Sequence, residues 1–111
     1  MANFFEVDDC RGHKVVCSDE NWCDKILGSR PWMKGWEEVV KEAIRNPMFI
    51  CADKDDPGRR QAYYMLHTFR NNRYIKVLTV FSAKHIGYVI SAFPTASGKV
   101  GEIVIWPPSN H

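Results

Sequence analysis

The sequence predicts an α+β fold, in which an N-terminal hairpin and two helices pack on an antiparallel sheet of about four to five strands. Apolar residues spaced by three and four between Trp36 and Ile44 indicate an amphipathic helix. Two runs rich in β-branched and aromatic residues, at positions 74–81 and 87–93, indicate adjacent strands. Because the helical patterns precede most of the strand patterns, the chain fits the segregated α+β class.

The first half of the chain is predicted to form the hairpin and the first helix. Residues 3–7 and 13–17 flank a short turn that contains Gly12, which is typical of a β-hairpin. Ser18 is a suitable N-cap for the helix, and Gly28 is a suitable end. The apolar stripe of this helix consists of Trp22, Cys23, Ile26 and Leu27.

The second helix and the remaining strands are bounded by turn residues. Pro47 stops the second helix near Asn46, because proline cannot continue a helix. Besides the central pair, strands are predicted at residues 48–52, 60–69 and 102–106. The first strand of the central pair is largely apolar on both faces, so we expect it in the middle of the sheet.

Length and composition limit the class of protein. The chain has 111 residues, enough for a single domain over residues 1–111, and it is 45% hydrophobic and 25% charged. No apolar run is long enough to span a membrane, and the N-terminus lacks the pattern of a secretory signal. We therefore expect a cytoplasmic protein without a membrane partner, in which the four cysteines are thiols.

Charge is unevenly distributed along the chain. The net charge is +2, but residues 1–56 hold twelve of the thirteen acids, and residues 57–101 hold none. The basic residues of this acid-free span are Arg59, Arg60, Arg70, Arg73, Lys76, Lys84 and Lys99. Such a span is typical of a surface that binds a polyanion, for example the phosphate backbone of RNA. The alternative is a solvated face that the acidic first half neutralises.

Lys76 interrupts the apolar central strand. Either its aliphatic stem packs while the ammonium reaches the rim of the sheet, or the ammonium faces a site that needs positive charge. If the charge is poorly paired, Lys76→Ala should leave the melting temperature unchanged or raise it. We expect Lys76 within one residue of cross-strand register with Ser91, and Tyr64 and Arg60 on one face of the preceding strand.

Several segments, in a fixed order, give the chain a resemblance to a known superfamily. They are GHKVVCSDENWCDKIL, RPWMKGWEEVVKEAIRNPMFI, RRQAYY, YIKVLTVF, VISAFPT and KVGEIVIW. Together they resemble the phage-associated branch of the barnase, colicin and RelE-like nuclease superfamily, which are small RNases of phages and other mobile elements. The resemblance covers about Gly12 to Trp106. It implies two helices followed by an antiparallel sheet, and a toxin-like ribonuclease activity.

The resemblance also implies a site on the basic face of the sheet. The implied catalytic residues are Arg60, Tyr64, Lys76 and Ser91, and related members typically have Thr in place of Ser91. The expected substrate-binding residues, which include basic residues of the acid-free span and a loop tryptophan, are Arg30, Trp32, Arg59, Arg73, Thr95 and Lys99. Related members usually have a His at the position of Arg30. A guanidinium can hold phosphate, but it cannot replace imidazole as a general base.

Two functions follow from these residues. The first is a metal-independent ribonuclease without a cofactor, in which cations around the phosphate stabilise the transition state. The second is a catalytically inactive relative that binds nucleic acid or a protein, such as an antitoxin or a host-defence factor. Arg30 in place of His favours the second function, whereas the four matching catalytic positions favour the first.

The N-terminal third contains four potential soft metal ligands, Cys10, His13, Cys17 and Cys23. Zinc sites usually show paired short spacings on loops, whereas Cys17 and Cys23 fall on a predicted strand and a predicted helix stripe. We therefore expect no metal, and buried cysteines that pack as small apolar residues. His85 lies in a predicted hairpin turn and is expected to be solvated.

Overall fold

The computed structural model describes residues 3–108. Seven strands form one sheet: β1 (Asn3–Asp8), β2 (Lys14–Ser18), β3 (Phe49–Ala52), β4 (Arg60–Phe69), β5 (Asn72–Phe81), β6 (Gly87–Thr95) and β7 (Ile103–Trp106). Between β2 and β3 the chain forms a π-helix (Asn21–Ile26), a single α-turn α1 (Leu27–Ser29), a 3-10 turn (Pro31–Met33) and the helix α2 (Glu37–Arg45). The predicted α+β class is confirmed. None of the helices in residues 3–108 has the length and apolar character needed to cross a membrane.

Within residues 3–108 the sheet has seven strands, so the prediction of four to five is wrong. The strand order is β1-β2-β6-β5-β4-β3-β7, with β5 in the middle as expected. The hairpin accounts for the difference, because it joins the sheet: β2 pairs in parallel with β6, Val15 opposite Gly87 and Val16 opposite Tyr88. The other pairings are antiparallel.

The first helical segment departs from the predicted α-helix. Its start is as predicted, because Ser18 Oγ accepts a hydrogen bond from the Asn21 amide at 3.0 Å. The six residues from Asn21 onward form a π-helix, in which the Leu27 amide bonds to the Trp22 carbonyl five residues earlier. The wider turn changes which side chains share a face. Trp22 is buried but Cys23 is exposed, so the predicted stripe is wrong at Cys23.

The helix α2 agrees with its prediction. It ends where the Asn46 amide bonds to the Glu42 carbonyl, directly before Pro47. Its buried residues are Val40, Ala43 and Ile44. The helix packs on β1, β4 and β5.

Both faces of the sheet bury side chains. The helices cover one face, where Tyr63, Ile75, Val77 and Val89 are fully buried. The opposite face carries a smaller cluster, which we call the aromatic face. It consists of the buried residues Cys51, Ala62 and Tyr64 and the partly buried Phe49, Tyr74 and Leu78. The predicted coverage of β5 on both faces is thus confirmed.

Candidate functional site

A buried ion pair lies on the aromatic face. The Lys76 ammonium is 3.1 Å from Oε2 of Glu102, and the two side chains are only 9% and 3% exposed. The other carboxylate oxygen, Oε1, accepts hydrogen bonds from the Tyr64 hydroxyl and, at 2.8 Å, from the Lys99 amide. The Glu102 carboxylate is therefore held by three donors, which come from β4, from β5 and from the loop before β7.

Tyr64 is the uncharged member of this group. Its ring stacks on Phe49 with centroids 4.8 Å apart, and it lies 5.2 Å from the Lys76 ammonium. Burial and the hydrogen bond to Glu102 raise the pKa of Tyr64 well above its ordinary value. The hydroxyl therefore remains protonated at neutral pH, and it acts as a donor that orients the carboxylate.

Arg30 reaches the same site from the end of α1. Its guanidinium lies 4.8 Å from the ring centroid of Phe93, and the Lys76 ammonium lies 5.9 Å from the same centroid. Both distances are within the range in which a cation is attracted to an aromatic face. The Phe93 ring thus contacts both cations. We refer to Arg30, Tyr64, Lys76, Phe93 and Glu102 as the Lys76 cluster.

Strand register determines the neighbours of Lys76. Lys76 lies directly opposite Tyr64 on β4 and opposite Phe93 on β6. Ser91 lies opposite Leu78, so it is a diagonal neighbour of Lys76, at about 7–8 Å for such pairs. The β5–β6 bulge follows directly after Leu78. Ser91 is therefore offset from Lys76 by two residues, not by the single residue that the sequence predicts.

Arg60 lies apart from the cluster. It shares the face of Tyr64, but it is four residues away along β4 and opposite Val80, a separation of about 13 Å along the strand. Its side chain is exposed, and its amide bonds to the Asp56 carbonyl in the turn before β4. Of the four implied catalytic residues, the structure brings together Tyr64, Lys76 and, diagonally, Ser91.

Three of the expected substrate-binding residues border the aromatic face. The Arg73 guanidinium lies 5.9 Å from the Tyr74 ring centroid. The Thr95 hydroxyl donates to a carbonyl in the following loop at 2.9 Å. Lys99 contacts Glu102 through its amide, while its ammonium lies 4.0 Å from Asp55.

Two other expected contacts lie elsewhere. Trp32 stacks on Phe69, with centroids 4.9 Å apart, and is 40% exposed. Trp36, which packs against the core on the helix-covered face, contacts both rings edge-on. Arg59 is exposed and lines a cavity at one end of the sheet. The expected residues therefore do not form one continuous basic surface around Lys76.

The charge of Lys76 is well paired, which corrects the expectation that it is a poorly compensated cation. The sequence suggests an unpaired charge because the span from 57 to 101 contains no acid. Glu102 follows that span immediately, and the fold returns it to β5. Removal of Lys76 should therefore destabilise the fold. We expect Lys76→Ala to lower the melting temperature, not to leave it unchanged or raise it.

Glu102 is the functional candidate that the sequence interpretation missed. A signal was present, because Glu102 is the only acid after residue 56. A single carboxylate in an otherwise basic half of the chain is a natural partner for a buried cation. What the sequence does not reveal is which of the basic residues it contacts.

The cysteines divide into two kinds. Cys17 and Cys51 are buried, and Cys10 and Cys23 are exposed. Burial raises the pKa of the Cys17 thiol to about 12. Burial, together with the charge of Glu102, raises the pKa of the Cys51 thiol to about 11. Within residues 3–108, no three His, Cys, Asp or Glu side chains are grouped so that they could hold a metal ion.

Comparisons of the chain with models of protein families, with characterised proteins and with solved structures find no match. The function of the Lys76 cluster must therefore be inferred from the chemistry of its own residues.

Proposed function

We propose that the chain is a small metal-independent ribonuclease that binds the phosphate backbone of RNA at the Lys76 cluster. The observation that supports this best is the 3.1 Å contact between Lys76 and Glu102, next to a phenyl ring, Phe93, that also contacts Arg30. Arg30 cannot act as a base, but a carboxylate can. Glu102 thus supplies a proton acceptor beside the Lys76 ammonium, and Arg30 is a second cation on the Phe93 ring that can contact a phosphate.

In the proposed reaction, Glu102 accepts the proton of a ribose 2′-hydroxyl, and the 2′-oxygen attacks the adjacent phosphorus. The bond between phosphorus and the 5′-oxygen breaks, and the leaving oxygen takes a proton from solvent. The products are a 2′,3′-cyclic phosphate and a 5′-hydroxyl. Lys76 and Arg30 offset the negative charge that builds up on the phosphorane. Tyr64 donates to Glu102 and holds the carboxylate in place.

Substrate access requires movement of the loop at residues 96–101. All six of its residues are exposed, yet its backbone rests on the cluster. A Cβ atom placed on Gly98 would lie 3.5 Å from Oε1 of Glu102 and 3.9 Å from the Tyr64 hydroxyl. An exposed segment with few buried apolar contacts is among the first parts of a protein to open. In this proposal, RNA displaces the loop and reaches Glu102.

The second candidate function is binding without cleavage. It is favoured by the same burial, because Glu102 neutralises Lys76 and both side chains are almost inaccessible. In that case the ion pair is structural. The chain then binds nucleic acid, or a protein such as an antitoxin or a host factor, through its exposed basic residues.

Cleavage of a labelled single-stranded RNA in the presence of EDTA tests the proposal. We expect the wild-type protein to cut the RNA, and Glu102→Gln to lose about 100-fold or more in rate, the usual contribution of a general base. The matched control is Glu20→Gln, which removes an exposed acid outside the cluster and should cut at the wild-type rate. A folded Glu102→Gln variant with wild-type cleavage would contradict the proposal. RNA binding by the wild type without any cleavage would favour the second candidate.

A further inference from the structure

A cavity of about 430 Å³ opens at one end of the sheet. It lies between the β1–β2 turn, the turn before β4 and the connector from β5 to β6. Its polar lining comes from His13, Arg59, Gln61, Ser82 and His85, and Phe81 supplies an apolar wall. Phe81 and Gln61 belong to the face of the sheet that the helices cover, whereas Lys76 belongs to the opposite face. The cavity is therefore separate from the Lys76 cluster.

Two imidazoles form one wall of this cavity. The rings of His13 and His85 stack with centroids 5.8 Å apart and an interplanar angle of 25°. His13 also meets the edge of Phe81 at 5.7 Å. His85 has a φ of +60°, in the left-handed region that non-glycine residues rarely adopt. Backbone strain of this kind persists where surrounding structure enforces it, often at binding sites. His85 is exposed, as expected for a turn residue, and it also forms part of the cavity wall.

A buried carboxylate stands behind His13. Asp9 Oδ2 lies 3.9 Å from Nδ1 of His13, a buried nitrogen that has no hydrogen-bond partner in the described part of the chain. The Asp9 charge is already balanced, because the carboxylate accepts hydrogen bonds from Arg11, from the Tyr63 hydroxyl and from the His13 amide. At 3.9 Å the carboxylate is too far from Nδ1 of His13 to accept a hydrogen bond from it. It leaves no free negative charge in the cavity.

A hydrogen bond from Arg11 orients the side-chain amide of Gln61. Arg11 Nη2 donates to Oε1 of Gln61 at 2.8 Å, so the NH₂ group of Gln61 points away from the guanidinium. The described lining of the cavity contains a guanidinium, two imidazoles, an amide and a hydroxyl, but no carboxylate. A concave site rich in donors and without a carboxylate suits an anion with several acceptor oxygens.

We propose that this cavity binds a phosphate monoester of about mononucleotide size. Arg59 and the two imidazoles hold the phosphate group, and the apolar wall at Phe81 contacts the organic part. The volume of about 430 Å³ falls within the range of small-molecule sites and exceeds what a phosphate ion alone needs. The inference does not rest on the proposed ribonuclease activity, since no residue of the Lys76 cluster lines the cavity.

NMR titration of the full chain with inorganic phosphate, and separately with uridine 3′-monophosphate, tests this site. We expect both ligands to shift the ring resonances of His13 and His85 in a saturable manner, and the nucleotide to bind about tenfold more tightly than phosphate because it also contacts Phe81. Absence of a saturable shift with either ligand would overturn the site. Equal affinity for the two ligands would overturn the assignment of a mononucleotide-sized ligand.

Arg59→Gln should weaken binding of both ligands about tenfold, the usual effect of losing one charge-assisted contact. Lys84→Gln makes the same change of charge in the β5–β6 connector, on a residue that does not line the cavity, and should alter the affinity less than about twofold. Equal weakening by the two variants would show general charge attraction and overturn the site.

His85→Gly provides an independent variant, since glycine accepts the φ of +60° without strain. It should keep the fold and weaken phosphate binding, and unchanged binding would contradict the role of His85.

Discussion

Breaking the Lys76–Glu102 pair from one side should destabilise the protein more than removing both charges. The two side chains are 9% and 3% exposed, so each charge is compensated by its partner and not by water. Loss of one partner from a buried pair costs about 3–5 kcal/mol, because the remaining charge stays buried and uncompensated. Glu102 would still accept hydrogen bonds from Tyr64 and the Lys99 amide, which places Lys76→Met at the lower end, about 3 kcal/mol. For a chain of this size, that loss lowers Tm by about 10–15 °C.

The double variant Lys76→Met/Glu102→Gln removes both charges but keeps an amide oxygen for the Tyr64 hydroxyl. Replacing a buried pair by neutral groups is often close to neutral, so we expect a total loss of about 1 kcal/mol. With about 3 kcal/mol lost in each single variant and about 1 kcal/mol in the double variant, the double-mutant cycle should give a coupling energy of about 5 kcal/mol. Unfolding by guanidinium chloride, followed by circular dichroism, measures each of these free energies.

The protein contains a matched control pair. Lys14 and Glu6 are 2.9 Å apart, on neighbouring strands, but their side chains are 53% and 46% exposed. The cycle Lys14→Met/Glu6→Gln should give a coupling of less than about 1 kcal/mol, as exposed pairs do. A coupling at Lys76–Glu102 no larger than at Lys14–Glu6 would refute the view that burial makes this pair important.

Other predictions concern pH, thiols and salt. Burial alone would raise the pKa of Asp9, but hydrogen bonds from Tyr63, the His13 amide and Arg11 outweigh it and hold the folded pKa below the ordinary 3.8. Asp9 therefore stabilises the fold above the unfolded pKa, and this stability is lost as pH falls through the folded pKa. Denaturant unfolding should show that the difference in unfolding free energy between wild type and Asp9→Asn shrinks below about pH 4. A difference that stays constant with pH would contradict this prediction. A thiol reagent should label two of the four cysteines in the native protein and all four in denaturant, because Cys17 and Cys51 are buried with raised pKa values. Rapid labelling of either Cys17 or Cys51 in the native state would contradict the fold. RNA affinity should fall linearly with salt on a double-logarithmic plot, and a flat response would favour a protein partner.

Local patterns in the sequence predict most of the elements. The apolar spacing of α2 and the β-branched runs of β5 and β6 are properties of short segments, and Pro47 marks an end on its own. The number of strands in the sheet does not follow from local patterns. Whether the hairpin stands apart or joins the sheet depends on the two-residue parallel contact of β2 with β6, across about 70 residues of chain, and no local pattern encodes it.

The candidate site shows the same limit. The resemblance implies Tyr64 and Lys76 as site residues, and the fold places them opposite each other. Their partner Glu102 lies directly before β7, although the sequence predicts it as the first residue of that strand, and no local pattern predicts which basic residue it contacts. Cys23 fails for a local reason, since a π-helix does not follow the spacing of an α-helix. Contacts between distant segments are thus what the structure adds, and they change Lys76 from an isolated cation into a partner of a carboxylate.

The central claim, that the Lys76 cluster cleaves RNA through a 2′-hydroxyl, is tested most directly with a DNA oligonucleotide that contains one ribonucleotide. Mass spectrometry of the products after incubation in EDTA identifies the new ends. We expect a cut only at the 3′ side of the ribonucleotide, giving a 2′,3′-cyclic phosphate and a 5′-hydroxyl. Glu102→Gln should form both products about 100-fold more slowly, or slower still. Cleavage that leaves a 5′-phosphate, or an uncut oligonucleotide under conditions where the protein binds it, would contradict the claim.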